Sequence, residues 1–441
     1  MIIHFGLDQH LGLILYCAGI AAFLLSIFWR PIVGVYYLVP LLPLQTTRYR
    51  MMDFPLGASV VTLVLAAVAI GLLRRRRWIF PKTPWTVVVA CYGLLTFASL
   101  FLDSDYLVPR LREWSDFMMM PLLLFLVAAT VDDVRQMRWI LLLMCLAVFV
   151  MDKSFWDAIR DRDYSTFSRD LQEDGAMGYA GAQGMAAFNA QYAWFLVALA
   201  GTFSARIAKW TCLGLAVFAA NCVMYSFSRG GYVAFLVGWV FVGVLRYRVL
   251  LVVFAVLATC WASIVPNAVR ERVLMTYDPN QGELDHSAEL RLELWDDALN
   301  LVRDNPAFGS GFNTYAYMKR LYGYGDTHNI YLKVLVETGV AGLAIFLWLL
   351  TRTFRTGYCL FRRSRTPLFS GLGLGLAAWV VCTAAANLFG DRWNYLQISG
   401  YLWVLAGLVS RALAIESAGE TEESEAETAQ TPYQAVPATA G

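Results

Sequence analysis

Charge is what this sequence has least of. Only 15% of its 441 residues are Asp, Glu, Lys or Arg, against roughly 25% in soluble domains. Hydrophobic residues make up 59% and the mean hydropathy is +0.53, a balance that excludes an ordinary water-soluble globule and calls for a lipid solvent. The net charge of +2 provides no basic face for nucleic acid. There are four histidines, and no His and carboxylate cluster has ligand spacing, so no metal or other cofactor is expected. The eight cysteines (17, 91, 145, 212, 222, 260, 359, 382) fall mostly inside apolar runs without a CxxC, and read as small core residues, not disulfides or metal ligands. No phosphate-binding GxxxxGK[ST], no GxSxG elbow and no repeat of fixed period is found. The opening "MIIHFGLDQH" lacks Lys and Arg, so no cleavable signal peptide is expected.

What is present is a series of long apolar runs. A spanning helix needs about 20 mostly apolar residues. Runs near 12–28, 31–44, 57–73, 85–102, 117–131, 138–151, 185–204, 207–226, 229–245, 249–266, 330–350, 368–388 and 393–411 predict 13 helices, or 12 if the short, proline-flanked second run is discounted. The fold class expected is all-α, a polytopic membrane bundle with aromatic belts supplied by 15 Trp and 22 Tyr. "RRRR" at 74–77, "RYR" at 246–248 and "RTFRTGYCLFRRSR" at 352–365 mark cytoplasmic loops, and Arg135, Arg138, Arg206 and Lys209 fall on the same side. The connections 45–56, 103–116, 152–184 and 267–329 are then external. The last contains "SAELRLELWDDALNLVRDNP", whose spacing predicts a helix suited to the membrane surface and ended by Pro306. The division expected is 1–184 as N-terminal membrane helices, 185–413 as the functional membrane domain, and 414–441 as a disordered acidic cytoplasmic tail.

Polar groups converge on the external side. Arg229, in "YSFSRGGYVAF", sits between two apolar runs, and Gly230 and Gly231 beside it permit close approach; a snorkelling interfacial arginine is the alternative. Arg291 shares a helix face with Leu294, Trp295 and Ala298, a pattern equally suited to a solvated charge. His286 reads as a loop or cap residue. In "DTHNIYLKVLVETGVAG", Asp326 or Thr327 is expected to cap a helix with His328 in its first turn, where it is either a polar cap or a base. Lys333 and Glu337, four apart, are expected to neutralise each other. Gly339 and Gly342 suit close helix packing. Two arginines suit phosphate, and a histidine suits proton abstraction near neutral pH, so the set fits a lipid-linked phosphate or diphosphate substrate. Arg48, Arg50, Arg110, Arg112 and Arg392 are further external arginines. Each reads more readily as a solvated loop charge, with Arg392 first among them as a candidate because its turn is so short.

"SFSRGGYVAFLVG", "RLELWDDALNLVRDNPAFGSGFNTY" and "THNIYLKVLVETGVAG" together resemble the ordered signatures of the O-antigen ligase / O-antigen polymerase superfamily, from about 185 to 411. The third matches the ligase-type pattern of His-Asn, nine residues, Gly, two residues, Gly at His328, Asn329, Gly339 and Gly342. The resemblance implies metal-independent glycan transfer from an undecaprenyl-diphosphate donor to an acceptor hydroxyl, on the outer face of a bacterial cytoplasmic membrane. It implies that Arg229 and Arg291 bind the diphosphate and that His328 activates the acceptor. The acceptor is lipid A–core in ligases, another lipid-linked repeat unit in polymerases, and a protein hydroxyl in O-glycosylation ligases. A transporter is a competing reading, but no repeat relates the halves and the polar groups gather at one face instead of the midplane.

Overall fold

The computed structural model describes residues 7–430 except 174, 276, 279–282 and 285. The N-terminal helices are α1 (Leu7–Phe28), α2 (Ile32–Leu41), α3 (Gln45–Tyr49), α4 (Val60–Arg74), α5 (Thr86–Ser99), α6 (Leu107–Thr130) and α7 (Val134–Ile159). There follow α8 (Gly181–Ala200), α9 (Arg206–Tyr225), α10 (Arg229–Leu245), α11 (Val249–Ile264), α12 (Asn267–Leu274), α13 (His286–Asp304), α14 (Tyr315–Met318), α15 (Ile330–Arg363), α16 (Pro367–Ala386) and α17 (Leu396–Gln430). Among the described residues the strands are a two-residue antiparallel pair, Tyr277–Asp278 with Glu283–Leu284.

Every apolar run becomes a helix, and among the described residues eight helices are long and apolar enough to cross a membrane, or nine if α11 and α12, bent by 107°, form one span. The other apolar runs of the expected 12 or 13 form helices that fall short of that length or hydropathy. The ten-residue α2 contains Pro40, which removes a helix hydrogen bond. The apolar helices Thr86–Leu102 and α10 are also short. In α8 the polar Gln183, Asn189 and Gln191 dilute the apolar content, and the helix is buried by its neighbours instead of by lipid.

At the centre, α16 packs against α8, α10 and α15. Phe188, Tyr192, Trp379 and Tyr401 meet there as an aromatic cluster. The N-terminal helices join this core directly, with α6 along α17 and α5 along α15. By contrast, α11 has no buried residue, as suits a helix facing lipid.

Among the described residues, loop contacts gather the connections into two sets. At one end Arg77 pairs with Asp132 (2.6 Å), Arg411 donates to the Asp132 carbonyl, and Arg352 donates to the Pro84 carbonyl. At the other, Arg110 donates to the Phe312 carbonyl, Glu113 accepts from Asn313 and Tyr317, and the Phe167 amide donates to Glu271. The basic segments and the connections expected to be external thus lie at opposite ends of the bundle.

Helix α17 runs to Gln430, and of the tail expected to be disordered from 414, residues 431–441 lie outside the described residues. One expectation needs correction here. The helix of the long loop forms at α13 and ends just before Pro306, but it docks on protein. Leu294 and Ala298 are fully buried, with Ala298 packed against Tyr315 and Val336.

The helix α15 is broken at Gly339, whose φ of 65° and ψ of −168° are not helical. The break lets the segment 306–311 bond to its backbone. Val340 N donates to Pro306 O (2.9 Å) and Ala341 N to Ala307 O (3.2 Å), while Ser310 N and Gly311 N donate to Val336 O and Glu337 O (2.8 Å each). A side chain at Gly339 would collide with the Ala307 carbonyl and the Phe308 amide. Gly339 therefore serves a loop insertion, not the helix packing expected of it. At Gly342 an added Cβ would meet the Thr338 side chain of the preceding turn.

Candidate functional site

A cavity of about 920 Å³ opens where the expected external ends of α8 to α13 meet the turn between α16 and α17. Its polar side is formed by Arg229, Arg272, Arg291, Arg392, Gln183 and Ser228. Its apolar side runs between α10 and α11 and includes Phe235, Leu236, Trp239, Phe254, Leu257 and Trp261. Such division fits an amphiphile with an anionic head and a long apolar chain.

Each arginine is held by a different element. Arg229 is the first residue of α10, whose N-cap Ser228 accepts a bond from Gly231 N (3.3 Å). The two glycines after it have a packing cause. A Cβ on Gly231 would lie 2.5 Å from that of Ala186, and one on Gly230 would lie 3.2 Å from that of Phe389. Gly231 brings α10 against α8, and Gly230 brings it against Phe389 after α16; both also line the cavity. Arg291, on α13, donates to the carbonyl and hydroxyl of Ser287 (2.9 and 3.0 Å). Its neighbour Trp295 also lines the cavity and donates to the Thr327 carbonyl (3.1 Å). His286 opens α13, and its side chain lies outside the described residues.

Arg392 is no solvated charge. Its guanidinium donates to Gln183 Oε1 (2.6 Å) and its amide to Asn387 Oδ1 (2.8 Å). Burial lowers its pKa from the usual arginine value, against the nearby charges of Asp326 and Asp391. Arg110 is also misread by sequence. It is fully buried on α6 and donates to the carbonyls of Phe312, Asp103, Asp105 and Leu100, so it is an internal staple. Arg50 and Arg112 are exposed and Arg48 is half-buried on α3; none of the three lines the cavity.

His328 stands beside the cavity rather than in its wall. It is not in the first turn of α15, because the N-cap is Asn329, whose Oδ1 accepts from Tyr331 N and Leu332 N (3.0 and 3.3 Å). His328 precedes that cap at φ 51°, in the left-handed region. Asp326 holds it there: Oδ1 accepts from the His328 amide (2.9 Å) and Oδ2 lies 3.4 Å from Nδ1. Burial would raise the Asp326 pKa. The hydrogen bond from His328 and the charges of Lys333 and His328 outweigh it and hold the carboxyl at about 2. The ring of Tyr324 meets that of His328 edge-on at 5.8 Å. The cavity reaches this group through Trp295 and Thr327.

Lys333 does not pair with Glu337. Its Nζ donates to Asp391 Oδ2 at 2.9 Å, across to the α16–α17 turn. Glu337 is buried with Oε1 lacking a hydrogen-bond partner. Residues four apart on a helix are neighbours, but a carboxylate in the α16–α17 turn that presents a better-aligned oxygen wins the cation.

Sequence reasoning missed Arg272, Gln183 and Asp391. Arg272 donates to the Phe227 carbonyl (3.3 Å) and its guanidinium stacks over Phe167 at 4.9 Å. The signal was an arginine in "VRERVL" directly after an apolar run, as for Arg229. Gln183 and Asp391 gave the weaker signal of polar residues at the ends of apolar helices. Among the described residues, no group of three or more His, Cys, Asp or Glu could hold a metal ion.

The apolar helices define a multi-pass helical membrane protein. The family model described as O-antigen ligase matches residues 214–347. The matched span includes Arg229, Arg272, Arg291, His328 and Lys333, and stops before Arg392. The match supports a membrane enzyme of the ligase or polymerase kind, with glycan or lipid-linked substrates. Among curated proteins no match is found.

Proposed function

We propose that this protein transfers a glycan from undecaprenyl diphosphate to an acceptor hydroxyl on the external face of the bacterial cytoplasmic membrane, as an O-antigen ligase does with a lipid A–core or similar acceptor. The observation that carries the reading is the single cavity in which four arginines from four elements face an apolar wall between α10 and α11. In this reading the isoprenoid chain lies along Trp239, Phe254 and Trp261, and the diphosphate sits among Arg229, Arg272, Arg291 and Arg392. Bidentate guanidinium contacts suit phosphate oxygens.

The chemistry is one displacement. The acceptor hydroxyl gives its proton to His328 Nε2 as its oxygen attacks the anomeric carbon. The carbon–oxygen bond to the diphosphate breaks, and the arginines hold the developing negative charge. Asp326, facing Nδ1, favours the tautomer in which Nε2 accepts and stabilises the imidazolium that forms. Direct attack inverts the anomeric centre. The diphosphate is a good leaving group, so no general acid is needed.

The test is glycan transfer by purified protein in proteoliposomes, with a lipid-diphosphate-linked donor and a panel of lipid A–core, repeat-unit and peptide acceptors. His328→Ala is expected to lower kcat by about 100-fold or more. Arg229→Ala, Arg272→Ala and Arg291→Ala are each expected to weaken the donor by about 10- to 100-fold, as loss of a charge-assisted hydrogen bond does. The acceptor that works identifies the subtype. Wild-type turnover by the His328 variant would remove the base assignment, and unchanged donor KM in all three arginine variants would remove the diphosphate site.

A further inference from the structure

One buried ion pair lies just beyond the cavity and joins the two segments that carry its reactive ends. Lys333 and Asp391 are 58 positions apart, with side chains 9% and 4% exposed and a separation of 2.9 Å. Asp391 also fixes its own turn. Its Oδ1 accepts from Trp393 N and Asn394 N (3.3 Å each), and its Oδ2 accepts from Asn394 Nδ2 (2.7 Å). The next residue is Arg392, whose carbonyl accepts from Ser399 Oγ. On the other side, Lys333 N donates to Asn329 O, so the cation is anchored one turn from the cap that follows His328. Thr327 Oγ1 closes the same stretch by donating to Asn329 O (2.7 Å). The charge of Asp326 acts on both Lys333 and Arg392, so all four groups lie within electrostatic reach.

A buried pair is weak evidence for stability, because desolvating two ions offsets most of their attraction. A bond from Lys333 to Glu337 would have stayed within one helix. The observed partner instead spans two elements, each one residue or one helical turn from a group of the proposed site. We propose that Lys333 is a positioning residue for glycan transfer: its ion pair with Asp391 sets the spacing between His328, which takes the acceptor's proton, and Arg392, which holds the donor's diphosphate. The inference rests on the function proposed above and adds residues to which that reading gives no role.

The experiment compares wild type with Lys333→Met/Asp391→Asn in the same proteoliposome assay, reading kcat, donor KM and melting temperature. The double variant keeps an acceptor for the Trp393 and Asn394 amides while removing both charges. The expected result is a fall in kcat of about 100-fold, the scale of a misplacement near 1 Å, with donor KM within about threefold because all four guanidiniums remain. The melting temperature should stay closer to that of wild type than in either single variant, because neutralising both partners leaves neither of them as a buried unpaired charge. Wild-type kcat in the folded double variant would overturn the proposal. If that variant does not fold, Lys333→Arg decides, since it keeps the pair but lengthens it: lowered kcat at unchanged melting temperature supports positioning, and unchanged kcat overturns it. Absence of transfer by wild type with every acceptor would instead remove the glycan-transfer reading, and the positioning role with it.

Discussion

Gly339→Ala tests the broken helix on which the site is hung. Gly339 has φ 65° and ψ −168°, a region that is essentially glycine-only and costs about 1–3 kcal/mol for other residues. The added methyl would also collide with the Ala307 carbonyl and the Phe308 amide. Relief requires the 306–311 segment to move away, which endangers the four backbone bonds from Val340, Ala341, Ser310 and Gly311. Losing two of them at about 1 kcal/mol each brings the total to about 3–5 kcal/mol, a large share of the roughly 5–15 kcal/mol that stabilises a folded protein. The assay is thermal unfolding in detergent, with Gly214→Ala as control, since a Cβ there meets nothing within 4 Å. The control should be neutral or slightly stabilising, by up to about 1 kcal/mol. Gly339→Ala should melt roughly 3–5 °C below wild type, given about 2.1 cal/mol/K of unfolding entropy per residue. Equal melting of the two variants would refute the reasoning, and the break would then have another cause than its glycine.

Arg110→Leu should destabilise by about 3 kcal/mol or more, because four carbonyls that accept from one buried guanidinium lose their donor; an unfolding shift no larger than that of the exposed Arg112→Leu would count against the staple. Asp326 gives a pH dependence with a definite sign. Its folded pKa, about 2, lies below the unfolded value of about 3.9, so its contribution, of the order of 2 kcal/mol, is complete above that value and lost as the pH falls toward 2. Asp326→Asn should therefore melt below wild type at pH 6 and approach it at pH 2, and a constant gap across that range would contradict the assignment.

Much of the site was legible as type and little of it as geometry. Arg229 announced itself because a charge between two apolar runs is costly, and the cavity does contain it. Arg291 and Trp295 were legible as one helix face, and both line the cavity. His328 was legible as a histidine at the mouth of a membrane helix, but its place was not: Asn329 outcompetes Asp326 and Thr327 as cap because its side chain reaches two free amides at once. Arg392 and Arg110 looked alike as loop arginines. Only packing shows that the first meets Gln183 across 209 positions and that the second threads four carbonyls.

The sequence by itself determined the lipid solvent, the helical class, the alternation of basic and external loops, and the three segments that resemble the O-antigen ligase superfamily. These follow from hydropathy, period and local spacing, which each stretch of chain carries alone. Only the tertiary structure decided how many helices are long enough to span, where α15 breaks, and that Lys333 bonds Asp391 instead of Glu337. Those outcomes depend on which of several adequate partners is brought nearest, and that choice is made by helices far apart in the chain packing together.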